Sequence, residues 1–231
     1  MSGSSPRRVL LKLSGEAFKG PDGPFSPEAF TRIAEEVVSA SSVEIGIVIG
    51  GGNIIRGARS RWLGRVEADT LGMLATVLNA LALRSYLEAN GRAVLVQSAI
   101  DTELTDPVSP RAARQALASG AIVLFAGGTG SPLVTTDTAA AIRAVSIEAD
   151  LLAKGSNVAG VYDADPSRNK RARLLTDLTF DAYLAGRYGV MDQVAVEICR
   201  EHRLPSEVFD LGRPDALSAI AAGTRVGTRI G

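Results

Sequence analysis

Short, nearly continuous apolar runs punctuate the chain, and glycine stands at or just beyond the end of most of them. The runs cover residues 9–13, 45–49, 93–96, 122–126 and 151–153, with a weaker one at Val208 and Phe209. Unbroken hydrophobicity over such short lengths predicts strands buried on both faces. Between the runs the period becomes helical. Phe30, Ile33, Ala34, Val37 and Val38 follow an i, i+3, i+4, i+7, i+8 spacing behind a Ser26-Pro27 cap signal. Leu71, Leu74, Ala75, Leu78, Leu81 and Ala82 form a second stripe, closed by Asn90-Gly91. A third helix opens at Ser109-Pro110 and ends near Gly120. A fourth is capped by Thr136 or Asp137 and runs to about Ala149, and two more cover 191–202 and 215–222. This alternation predicts an α/β fold, a three-layer sandwich with a central, mostly parallel twisted sheet flanked by helices. Without a Pro/Ser/Gly-rich linker, 1–231 reads as a single domain with a flexible stretch at 1–8 and a distinct lobe in its last third. Ligands are expected at the carboxyl ends of the strands.

Composition narrows the chemistry. Twenty-five basic residues balance 25 acidic ones, which leaves no electrostatic footprint for nucleic acid or a membrane surface. One cysteine, Cys199, and one histidine, His202, exclude internal disulfides, multi-cysteine zinc sites and histidine triads. No apolar run reaches the roughly 18 residues of a membrane span, and the polar start is not a secretory signal; the expected location is cytoplasmic. Chemistry must come from Lys, Arg, Asp, Ser, Thr and backbone groups.

Four clusters offer it. Lys12-Leu13-Ser14-Gly15-Glu16 ends the first strand, in a chain with only four lysines against 21 arginines. An ammonium group there can neutralise phosphate charge, unless it is merely an edge-strand lysine with a solvated head. Gly50-Gly51-Gly52-Asn53, with Arg56 and Gly57, follows the second strand. Its amides can form an anion nest beside a helix N-terminus, and the guanidinium adds a fork of donors; a tight turn is the plainer reading. Gly127-Gly128-Thr129-Gly130-Ser131-Pro132 leads into Thr135-Thr136-Asp137, which suits a nucleotide or ordinary helix capping. Ser156-Asn157 with Gly160-Val161-Tyr162-Asp163-Ala164-Asp165-Pro166 offers an aromatic ring and a hydroxyl acceptor, or an acidic surface turn. Asp69 sits at the start of the second helical stripe, where the helix dipole also favours an acid. No GxxxxGK[ST] and no GxGxxG at the first strand occur, which sets aside P-loop kinases and dinucleotide dehydrogenases.

Taken in order, these segments resemble the amino-acid kinase superfamily. Asp69 with Leu71-Gly72-Met73-Leu74-Ala75-Thr76, and Val190-Met191-Asp192, favour its uridylate-kinase branch. The resemblance implies transfer of the ATP γ-phosphoryl group to UMP, with Mg²⁺ arriving with ATP and no side chain assigned as a resident metal ligand. It implies an ATP site of Lys12, Leu13, Ser14, Gly15, Gly52, Arg56, Ser156, Asn157, Tyr162 and Asp165. The UMP site would be Gly51, Asp69, Thr129, Gly130, Ser131, Pro132, Leu133, Val134, Thr135 and Thr136. Lys12, Arg56 and Asp137 would be catalytic, Asp137 orienting Lys12 or the metal, and about 150–231 would form the ATP lobe. A homohexamer with GTP and UTP as effectors is implied too, the long helix at 67–90 supplying an apolar interface. This chain departs from the pattern at Ser131, where asparagine is usual, at Ala159, an aspartate elsewhere, and at Ser85 beside Arg84. Other acceptors, carboxylate or carbamate, and a non-catalytic nucleotide-binding protein are the alternatives.

Overall fold

The computed structural model describes residues 7–55, 62–166 and 168–231. The elements are β1 (Arg8–Leu13), α1 (Pro27–Ser39), β2 (Glu44–Ile49), α2 (Arg65–Ala89), β3 (Val94–Ser98), β4 (Asp106–Pro107), α3 (Pro110–Ala118) and β5 (Ile122–Ala126). They continue with α4 (Thr136–Ser146), β6 (Leu151–Ser156), β7 (Val161–Tyr162), β8 (Leu174–Leu175), β9 (Asp177–Leu178), α5 (Phe180–Ala185), α6 (Gln193–Glu201), β10 (Ser206–Asp210), α7 (Ala216–Ala221) and β11 (Thr228–Ile230). Nine strands form one sheet in the order β4-β3-β5-β2-β1-β6-β10-β11-β9. Within this sheet, among the described residues, only β10 and β11 pair antiparallel, and β7 and β8 form a separate antiparallel ribbon. All six expected strands are present. The ones the pattern did not announce are two or three residues long, too short to show a period.

Strand alternation divides the core in two. Val9, Leu11 and Leu13 pack with residues of α1, α2 and α7. Leu10 and Leu152 pack with α3, α4, α5 and α6 on the other face. This is the expected three-layer arrangement. β1 lies between β2 and β6, its neighbours on opposite sides, so the strand order reverses there and opens a crevice at the carboxyl ends.

Local chemistry explains the element ends. Ser26 caps α1 by accepting from the Ala29 N–H, with Pro27 at the first position; such a cap is worth about 1 kcal/mol. Ser109 and Pro110 do the same for α3. α4 differs from expectation: its cap is Thr135, whose hydroxyl accepts from the Asp137 and Thr138 N–H groups, and it ends at Ser146. The cap therefore frees Asp137 to point elsewhere. α2 begins at Arg65, a full turn before Asp69.

The larger correction concerns which face of α2 is buried. Leu71, Leu74 and Leu78 are 40%, 46% and 53% exposed, whereas Ala68, Ala75, Thr76, Ala80, Leu83 and Leu87 are buried. The helix is apolar nearly all round, so periodicity could not choose a side. Small residues face inward because α2 must come close to the glycine loop after β2. By length and composition alone α2 is also apolar enough to cross a membrane, but here it packs on β3, β5 and α1.

Candidate active site

The site starts from two lysines. Alternation along β1 sends Lys12 to the same face as Leu10, and along β6 sends Lys154 to the same face as Leu152. The two residues are register partners on adjacent parallel strands, and each is less than a tenth exposed. Two buried ammonium groups side by side repel. The carboxylate of Asp137, in the first turn of α4, lies against both. It ion-pairs with Lys12 at 2.9 Å and with Lys154, and the Asp192 N–H also donates to it, at 3.3 Å. Burial pushes the Asp137 carboxyl up, but the two ammonium groups outweigh it and hold the group at about 2. Burial pulls the Lys154 ammonium down; Asp137 opposes this and Lys12 adds to it. In formal charges the trio sets two ammonium groups against one carboxylate.

Two cavities meet beside it. The larger, about 1010 Å³, is walled by Lys12, Ser14, Lys154, Ser156, Asn157, Tyr162 and Asp165 among others. The smaller, about 310 Å³, has Gly51, Asp69, Thr129, Ser131, Val134, Thr135 and Thr136 in its wall. Ser14 borders both. Of the residues expected at an ATP site, Leu13 is buried in the core, while Gly15 and Gly52 face the smaller cavity. Gly130 turns its Cα side toward Ala99. Leu133 is 63% exposed, but its N–H donates to Asp69 Oδ2 at 3.0 Å. The same oxygen takes Arg65 Nε at 2.8 Å. Arg56 and Gly57 lie outside the described residues.

The glycines serve close approach. A Cβ at Gly15 would strike the Gly52 N–H, and one at Gly51 would strike the Gly72 carbonyl of α2. So the loops after β1 and β2 touch backbone to backbone, and α2 closes down on the second. Directly behind Gly52 the chain turns, the Ile54 and Ile55 N–H groups donating to Gly51 O, and among the described residues the next helix begins at Arg65. The loop after β1 is held from below, where Phe18 stacks on Phe30 at 4.6 Å. Buried Asn79 donates to Gly50 O at 2.8 Å and exchanges hydrogen bonds with Asn53. Thr76 Oγ1 accepts from the Gly127 N–H at 2.6 Å, tying the β5 loop to α2.

Sequence reasoning missed Lys154, although Lys154-Gly155-Ser156 repeats the signal that singled out Lys12: a lysine in an apolar strand just ahead of Gly and Ser. The resemblance pointed to Val190-Met191-Asp192, but the strap at 186–192 was given no place in the site. Lys154 donates to Val190 O. Fully buried Tyr183 donates to Met191 O and accepts from its N–H, both at 2.7 Å, and burial raises its hydroxyl to about 12. Asp192 caps α6 and accepts from the Thr135 and Thr138 hydroxyls. Cys199 is buried beside Ser206, its thiol pushed up to about 12 by burial, and His202 caps the end of α6; both are structural.

Comparison with known proteins agrees with this geometry. The profile of the amino acid kinase family matches residues 7–210. A uridylate kinase of Stutzerimonas stutzeri is 46% identical over 238 residues, spanning 100% of this chain and 96% of its own. Among solved structures, a UMP kinase from Bacillus anthracis superposes with a TM-score of 0.94 at 36% identity, over 98% of this chain and 96% of that one. One from Ureaplasma parvum gives 0.91 at 32%, over 97% and 98%.

Proposed function

The chain belongs to the amino acid kinase family, and we propose that within it the chain acts as a uridylate kinase, moving the γ-phosphoryl group of ATP to UMP to give ADP and UDP. The observation that carries this is the pair of cavities sharing Ser14, with Lys12 and Lys154, both held by Asp137, in the wall of the larger one. The larger cavity takes ATP and the smaller takes UMP, Asp69 holding the ribose. Most of the donor wall comes from residues after 150, which supports reading 150–231 as the donor lobe of one domain.

The acceptor phosphate is already an anionic nucleophile, so no base and no covalent intermediate are required. Positioning and charge neutralisation carry the reaction. Lys12 and Lys154 stabilise charge on the transferring group, and Asp137 fixes both ammonium groups before substrate arrives. Arg56 is assigned to the same phosphates. Magnesium would arrive with ATP as part of the substrate and would supply further charge neutralisation. Asp137 already holds two ammonium groups, and among the described residues no cluster of three or more His, Cys, Asp or Glu side chains forms a resident metal site.

The exposed face of α2, with Leu71, Leu74 and Leu78, is assigned to a second copy of the chain in a hexamer, with GTP and UTP as effectors. The proposed location is cytoplasmic. The deciding measurement is ADP release with UMP, CMP and acetylglutamate as acceptors, with and without GTP. UMP-dependent turnover is expected. Acetylglutamate-dependent turnover, or nucleotide binding without turnover, would replace the reading with one of the alternatives. Light scattering of Leu74→Lys and Leu78→Lys tests the assembly, a smaller species being the expected result.

A further inference from the structure

The wall of the larger cavity contains four cations, Lys12, Arg32, Lys154 and Arg187. Three are committed. Lys12 and Lys154 share Asp137, and Arg32 donates through Nη1 to Leu211 O at 2.9 Å. Arg187 is different: its side chain is exposed, and among the described residues no ion pair or side-chain hydrogen bond engages it. It sits at the start of the strap at 186–192, three residues before Val190, whose carbonyl receives Lys154. Three residues span at most about 10 Å, and the wall of one cavity holds Arg187 together with both lysines. Its backbone is unusual too. Arg187 has φ +48, the left-handed position just past a helix end that glycine ordinarily fills. Glycines stand on both sides of the segment, at 186 and 189, yet this position carries a cation.

We propose that Arg187 is a donor-binding residue that grips the polyphosphate tail of the nucleotide in the larger cavity. The inference rests on reading that cavity as the ATP site. A planar guanidinium suits this task, because it pairs phosphate oxygens two at a time. It also supplies positive charge that the trio, already half neutralised by Asp137, does not.

Titration calorimetry of the full chain with adenosine, AMP and ADP tests it. Arg187→Gly suits the backbone, so the melting temperature should hold or rise. Affinity for ADP should fall about tenfold, that for AMP less, and that for adenosine not at all, while the KM for ATP rises and that for UMP stays. Arg187→Lys should recover part of the loss. Unchanged ADP affinity overturns the proposal, and so does an equal loss for adenosine and ADP, which would mark a structural role. If the unaltered chain binds no adenine nucleotide, the donor-site reading itself fails.

Discussion

Lys12 of β1 and Lys154 of β6 are register partners in the centre of the sheet, two like charges at neighbouring positions, both less than a tenth exposed. Such a pair is stable only because one carboxylate, Asp137, reaches both. One carboxylate offsets only one of the two ammonium groups, which leaves a surplus of positive charge. With a phosphoryl group between the cavities, that surplus meets the charge it is built for. The fold supplies the geometry: parallel pairing sets the lysines level, and the Thr135 cap starts α4 so that its first turn delivers Asp137.

Each lysine therefore acts on the transferring group. Lys12→Ala and Lys154→Ala should each lower kcat about 10²–10³-fold, the usual effect of removing a preorganised donor. Circular dichroism should be unchanged for Lys12→Ala. Near-normal turnover in either purified variant would remove that lysine from the mechanism.

Removing the carboxylate should harm stability as well as rate. Asp137→Asn leaves two buried ammonium groups facing each other, a loss of about 3–5 kcal/mol by analogy with broken buried pairs. Burial and Lys12 both favour neutral Lys154, so raising the pH strips its proton and relieves the repulsion. Urea unfolding at pH 7 and pH 10 should show the deficit shrinking at the higher pH. A deficit that is the same at both would mean the lysines do not repel.

Much of this was legible in the sequence, for identifiable reasons. Strand runs and glycine-ended loops are local signals, and they located the crevice. Lys12 stood out because lysine is scarce here and an apolar strand is a poor place for one. Tyr183 gave no such sign and Asp192 entered only through the family resemblance, since a carboxylate before a helix reads as a cap and a tyrosine among apolar residues reads as core. Their roles exist only once α4, α5 and α6 are packed together. The buried face of α2 was also out of reach, because the helix is apolar on several sides and only contact with Gly51 selects the alanines.

Acid should reveal Asp137 directly. Unfolded, this group takes its proton near 4, but in the folded chain only near 2. Between those values the unfolded chain binds more protons, so falling pH favours unfolding. The stability involved is about 2 kcal/mol, fully present above pH 4 and lost as the pH drops through 2. Denaturation curves across that window should lose this increment, and Asp137→Asn should lack it. Equal acid sensitivity of the two proteins would contradict the ion-paired state.

Asp69 allows the acceptor side to be separated from the donor side. Its Oδ2 holds both Arg65 and the Leu133 N–H, so it pins the loop after β5 onto α2 across the smaller cavity. Leu133 adopts φ +68, a conformation a leucine keeps only when its surroundings hold it there. Asp69→Ala releases that loop and removes the acceptor proposed for the ribose. Hydrogen bonds to a charged group are worth about 1.5–3 kcal/mol, so the KM for UMP should rise roughly 10- to 100-fold. The KM for ATP should stay within about twofold, because Asp69 is absent from the donor wall. Asp69→Asn keeps one acceptor oxygen for the Leu133 N–H and should fall in between. A parallel rise in both KM values would instead point to general unfolding of the strand ends, and circular dichroism of the same variant would separate the two explanations.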